Sequence, residues 1–81
     1  MAADNGMLRG FLEGRRDFAF MSALTTQDGK AARAFVDAAV AYGLALEEYE
    51  KHGDTDRVKI HTQMGMNATD EALGKRKGGS R

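Results

Sequence analysis

Residues 31–46 read AARAFVDAAVAYGLAL, and this stretch decides the fold of the 81-residue chain. Only Arg33, Asp37 and the hydroxyl of Tyr42 interrupt a run of apolar or small side chains. Alanine and leucine are strong helix formers, so the run predicts a helix. A helix that is apolar on almost all sides has to be covered on more than one side. The stretch is therefore predicted to be the central helix of an all-α fold.

Turn signals on both sides set the bounds of this helix. The sequence TTQDG at residues 25–29 is typical of a loop, and Asp28 or Gly29 is a suitable place for the helix to start. At the other end, Gly53 follows His52 at the point where a left-handed residue would close a helix. The central helix is predicted over about residues 29–52.

One further helix is predicted on each side of the central one. Over residues 4–25, apolar side chains recur at spacings of three, four and seven, which indicates an amphipathic helix. Asp54 and Thr55 are good N-cap residues, and a weaker apolar stripe follows them over residues 55–73. We expect a long helical hairpin with a third helix alongside it, a three-helix bundle-like single domain over residues 1–74. A basic tail follows over residues 75–81.

The small size of the chain favours self-association. A chain of this length buries only about 60% of the surface that its unfolded form exposes. Small domains often gain stability from disulfides, metals or oligomers, and the absence of cysteine excludes disulfides here. The central helix can be covered by its own neighbours or by a second copy of the chain. The sequence leaves both arrangements open.

Catalysis and cofactor binding have little support in the sequence. There is no cysteine nucleophile, no glycine-rich phosphate loop, and no histidine near Ser22 or Ser80 in the sequence. The one cluster that suggests a metal consists of His52, Asp54, Asp56 and His61. It lacks the glycine and glutamate of a calcium loop and has no zinc spacing, so helix-end and cap roles explain it better. We expect no enzyme activity, no cofactor and no metal.

The charge is balanced overall but unevenly placed. Lysine and arginine number 12, as do aspartate and glutamate, yet residues 75–81 carry four basic side chains and no acidic one. Such a tail could neutralise a few phosphates in weak, salt-sensitive binding, or simply be a solubilising terminus. The residues of this alternative, nucleic-acid hypothesis are Arg9, Arg15, Arg16, Lys75, Arg76, Lys77 and Arg81.

Two further patterns concern location and close packing. The longest apolar run, residues 38–46, is far shorter than the ~20 residues of a membrane span, and no secretory signal is evident, so a cytoplasmic location is predicted. Gly6, Gly10 and Gly14 recur every four residues. They predict either a close helix–helix contact or merely a loose first helix.

The leading functional hypothesis is a non-enzymatic protein–protein interaction module acting as a subunit, adaptor or inhibitor. It rests on an excess of apolar helical surface without site chemistry. The predicted partner-binding residues lie on the first helix and on the part of the second that faces it: Phe11, Leu12, Phe18, Phe20, Met21, Phe35 and Tyr42. The alternatives are the nucleic-acid accessory role and a minor structural role in a larger assembly such as a virion.

Overall fold

The computed structural model describes residues 5–74, which form three helices joined by two short connections. These are α1 (Asn5–Thr25), α2 (Gly29–His52) and α3 (Asp56–Ala72). No strand occurs in this part of the chain, so the predicted all-α fold is confirmed. The basic tail at residues 75–81 and Asp4, the predicted first residue of α1, lie outside the described residues.

The central helix is α2, with α1 packed on one flank and α3 on the other. Contacts between α1 and α3 are few, so the three helices form something close to a single layer. The extents of 42 × 27 × 16 Å show the same thinness in one direction. The predicted hairpin with a third helix alongside is therefore the observed arrangement.

Local hydrogen bonds start and stop the helices where the sequence signals predict. The Asp28 side chain accepts a hydrogen bond from the Lys30 backbone N–H at 3.0 Å and caps α2. Gly53, with φ of 85°, closes α2 by donating its N–H to the Tyr49 carbonyl at 2.8 Å. Thr55 caps α3, and its hydroxyl also donates to the Glu48 carboxylate at 2.9 Å. This last bond ties the second connection back onto α2.

The core lies between α2 and its two neighbours. Eight of its buried residues form one cluster, most of them on α2: Leu12, Ala19, Phe35, Ala38, Tyr42, Ala45, Leu46 and Val58. Alanines at 38 and 45 let neighbouring helices approach closely, whereas Tyr42 and Leu46 fill the volume that remains. The fold is held together by one side of α2.

A close contact between helices joins Tyr42 of α2 and Gly65 of α3. A Cβ atom placed on Gly65 would lie 2.8 Å from the Cζ atom of the Tyr42 ring, closer than such atoms normally approach. On the α1 side, the Arg15 Nε donates to the Tyr42 hydroxyl at 3.2 Å, with its guanidinium 5.6 Å from the ring centroid. Tyr42 therefore links all three helices.

The glycine row of α1 makes no such contact. A Cβ atom added at Gly6, Gly10 or Gly14 would meet no atom within 4 Å. Close packing of this row against another helix of the same chain, one of the two predicted alternatives, is therefore wrong. Gly65 is the described glycine at which a side chain would collide with a neighbouring helix. The sequence pattern did not single it out.

Candidate functional site

The side of α2 that points away from the core is also apolar. Val36, Val40 and Leu44 are exposed and spaced four residues apart, so they form a stripe along one side of the helix. Val40, in the middle of the stripe, keeps 56% of its surface exposed. The stripe is exposed because α2 is apolar on almost all sides, whereas α1 and α3 cover only part of its surface.

Residues from both flanking helices extend this stripe. Between α1 and α2 lies a shallow groove of about 430 Å³, lined by Phe20 together with Val36 and Val40. Between α2 and α3 lies a second groove of about 450 Å³, lined by Met64 together with Val40 and Leu44. Val40 lines both grooves, so it connects the apolar residues of one groove with those of the other.

We call this surface the apolar face; it consists of Phe20, Val36, Val40, Leu44 and Met64. Phe20 and Met64, at its two edges, are 59% and 52% exposed. Single exposed apolar side chains are normal on a protein surface. A contiguous group drawn from three helices is not, and such patches usually mark binding sites.

Opposite charges lie at the two ends of the apolar face. Arg33 is two helical turns before Val40 and Glu47 is two turns after it, and both side chains are exposed. Lys51, one helical turn further along α2, donates a hydrogen bond to the Glu47 carboxylate at 3.1 Å. This pair is exposed. Arg33 makes no ion pair with any residue from 5 to 74. The face therefore has an arginine at one end and a glutamate, already paired with Lys51, at the other.

The edge of the face on α1 carries both signs of charge. Arg16 and Asp17 line the first groove beside Val40 and form an exposed pair with 3.2 Å between their charged atoms. An exposed pair of adjacent residues contributes little to stability, because water screens it. Both groups remain accessible to a partner.

The predicted partner-binding residues fall into two groups in the structure. Leu12 and Tyr42 have no exposed surface and Phe35 has almost none, so these three belong to the core. Phe11, Phe18, Phe20 and Met21 are exposed. The three core residues therefore offer no surface to a partner while this fold is intact.

Among the four exposed residues, Phe20 is the one that lines the first groove. Phe18 packs edge-on against the Phe35 ring at 6.1 Å between centroids, and Phe11 lies 5.8 Å from the Arg15 guanidinium. Sequence reasoning missed the α2 and α3 parts of the face. The signal that was present is the i, i+4, i+8 spacing of Val36, Val40 and Leu44, hidden by equally apolar residues on the other sides of the helix.

The arginines of the nucleic-acid hypothesis are engaged within the chain. Arg9 forms a 2.7 Å ion pair with Glu50, Arg16 pairs with Asp17, and Arg15 contacts Tyr42. The remaining residues of that hypothesis, Lys75, Arg76, Lys77 and Arg81, lie outside the described residues. In the described part of α1, Arg9 and Arg16 thus each lie beside a carboxylate, and Arg15 lies against the Tyr42 ring.

Neither a metal site nor a membrane span is found between residues 5 and 74. No group of three or more potential ligand side chains lies together there, which includes His52, Asp54, Asp56 and His61. No helix in that range is long and apolar enough to cross a membrane. Two buried side-chain atoms, His61 Nδ1 and Thr62 Oγ1, have no hydrogen-bond partner within the same range.

Comparison with models of known families, with curated proteins and with solved structures gives no match to this chain.

Proposed function

We propose that this chain is a non-enzymatic protein–protein interaction module that binds its partner through the apolar face. The observation that carries the proposal is the contiguous, exposed group formed by Phe20, Val36, Val40, Leu44 and Met64. A subunit, adaptor or inhibitor needs such a surface and needs no catalytic group. A cytoplasmic location for this activity stays a prediction.

The physical argument is the cost of leaving this face in water. Fully burying a side chain of this size contributes about 1.5–3 kcal/mol, so a half-exposed one still offers about 1 kcal/mol on association. The layered fold supplies no fourth helix to cover α2 within residues 5–74. The face is built on helices, which hold the side chains in fixed relative positions.

Two methionines of α3 provide a matched test. Met64 lies on the apolar face, whereas Met66 lines a different groove with Leu8 and Val58. Both are exposed and differ by two positions, so the same substitution places a charge on nearly opposite sides of one helix. Met64→Lys and Met66→Lys therefore separate an effect of the face from an effect of added charge.

The measurements are sedimentation velocity over a range of concentrations and binding of the apolar dye anilinonaphthalene sulfonate. We expect the parent chain to associate or to bind dye, Met64→Lys and Val40→Lys to lose that behaviour, and Met66→Lys to keep it. All variants should retain their helical circular dichroism. A parent chain that is strictly monomeric and binds no dye would refute the proposal.

The nucleic-acid role and the structural role in a larger assembly stay predictions. The first is tested by deleting the chain from Lys75 onward and measuring DNA and RNA binding across salt concentrations. Counterion release makes phosphate contacts strongly salt-dependent, so a genuine tail interaction must weaken with salt and with the deletion.

A further inference from the structure

We infer that the occupant of the apolar face is a second copy of this chain, packed with its α2 antiparallel to the first and with a two-fold axis at Val40. This inference rests on the proposed function, since it names the partner of the same face. The pattern of residues along the exposed side of α2 supports it.

That pattern is balanced around Val40. Val36 lies four residues before it and Leu44 four residues after it, and Arg33 and Glu47 lie seven residues before and after. Spacings of four and seven return to the same side of a helix, so all five residues share the exposed side. A two-fold axis at Val40 therefore pairs Val36 with Leu44 of the second copy and Val40 with its own counterpart.

The charges decide the direction of the partner helix. In the antiparallel arrangement, each Arg33 lies opposite Glu47 of the second copy, so both ends of the interface join a cation to a carboxylate. In a parallel arrangement, Arg33 would face Arg33 and Glu47 would face Glu47. Within one α2 helix the two groups are about 21 Å apart and do not interact. Arg33 and Glu47 are thus complementary to a second copy in the antiparallel orientation and not in the parallel one.

The edge formed by α1 fits the same axis. Arg16 and Asp17 line the groove next to Val40, so they lie close to the level of the axis. An axis in the plane of the interface and perpendicular to α2 places α1 over α1 of the second copy. Arg16 and Asp17 then lie opposite the same two residues of the second copy, so each charge has an opposite charge within reach at this edge.

The broad side of the molecule is large enough to accommodate a standard interface. The layer measures 42 Å by 27 Å across its broad side, an area on the order of 1,000 Å². Standard protein–protein interfaces bury about 800 Å² on each partner. Two such layers, stacked on their apolar faces, form a two-layer helical assembly with α2 covered on all sides, as layered domains generally require.

Charge exchange gives the first test. Arg33→Glu places a glutamate opposite Glu47 twice in a homodimer, and Glu47→Arg likewise places an arginine opposite Arg33 twice. Each variant alone should dimerise at least about tenfold more weakly than the parent chain, a difference of about 1.4 kcal/mol. An equimolar mixture should form a heterodimer with both opposite-charge contacts present. Its affinity is expected within about threefold of the parent, given the small contribution of exposed pairs.

Cysteine cross-linking gives the second test. Because the chain has no native cysteine, any disulfide formed must involve the introduced residue. Val40→Cys places the two thiols at the two-fold axis, where the Cβ atoms of a disulfide must come within about 4.5 Å. Mild oxidation should yield a covalent dimer, whose formation is suppressed by an excess of parent chain. Met66→Cys, on the opposite side of α3, serves as the matched control and should stay monomeric on denaturing gels.

The outcomes separate the two proposals. A parent chain that is monomeric at all concentrations, with a face that still binds dye, overturns the second-copy inference and leaves the interaction role standing. A dimer that Val40→Lys dissociates but that the mixed charge variants fail to restore overturns the antiparallel register. A dimer insensitive to both Val40→Lys and Met64→Lys uses another surface and overturns both proposals.

Discussion

Replacing Gly65 with alanine tests the close contact between α3 and Tyr42. The added methyl carbon would lie 2.8 Å from the Cε2 and Cζ atoms of the Tyr42 ring. Ordinary van der Waals contact between carbon atoms begins near about 3.5 Å, so the ring or α3 has to move by roughly 0.7 Å. Tyr42 is fully buried and its hydroxyl is bonded to Arg15, so the ring is not free to swing aside.

Two opposing contributions determine how much Gly65→Ala changes the free energy of unfolding. Alanine is favoured over glycine inside a helix by about 1 kcal/mol, which would stabilise α3. Overpacking a well-packed core costs about 1–3 kcal/mol. We expect Gly65→Ala to destabilise the chain by up to about 2 kcal/mol, with the helix-propensity gain hiding part of the steric cost.

Comparing Gly65→Ala with the same substitution at a second helical glycine cancels the gain in helix propensity. Gly10 lies inside α1, and a methyl group there would meet no atom within 4 Å. Gly10→Ala should therefore stabilise the chain by about 1 kcal/mol. The difference in unfolding free energy between the two variants then isolates the steric term, expected at about 1–3 kcal/mol.

Urea unfolding followed by far-UV circular dichroism measures this difference. For a domain of this size, 1 kcal/mol also corresponds to about 4–8 °C in Tm. The curves should be recorded at two protein concentrations, because association would add to the apparent stability. If Gly65→Ala is as stabilising as Gly10→Ala, the packing of α3 against Tyr42 described above is not the native packing.

Three further substitutions probe the core, a cap and a surface ion pair, each by the same urea unfolding. Leu12→Ala removes a fully buried side chain and should cost about 2–5 kcal/mol; a loss below about 1 kcal/mol would mean that Leu12 is not in the core. Asp28→Ala removes the N-cap of α2 and should cost about 1 kcal/mol, whereas Asp28→Asn should retain most of that stability. Arg9→Ala breaks the exposed pair with Glu50 and should cost less than about 1 kcal/mol, decreasing further in high salt; a larger, salt-independent loss would show a packing role.

If the second-copy inference holds, stability and function of this chain are linked. Val40→Lys should then lower the apparent stability at high protein concentration and leave it nearly unchanged at low concentration, because mass action stabilises a dimer only where it forms. Core substitutions such as Leu12→Ala should lower stability at both concentrations. The two classes of residue are thus distinguishable in one set of unfolding curves.

The helices of this protein were determined by signals that are local in the sequence. Asp28, Gly53 and Thr55 act through hydrogen bonds and backbone angles within a few residues of each helix end. Such signals work whatever the rest of the chain does, so the predicted bounds of α2 coincide with those observed. The same locality explains why an all-α hairpin with a third helix could be predicted.

The sides of α2 that become core and surface were decided only by the tertiary structure. Val40 and Tyr42 are both large residues in an all-round apolar helix, and nothing in their spacing says which one is covered. The position of α1 and α3 buries Tyr42 completely and leaves Val40 largely in water. Likewise, Gly65 is in close contact and Gly10 is not, because such contact depends on a distant helix rather than on the glycine's own neighbours. Burial is a property of the assembled layer, and so is the exposure of the apolar face.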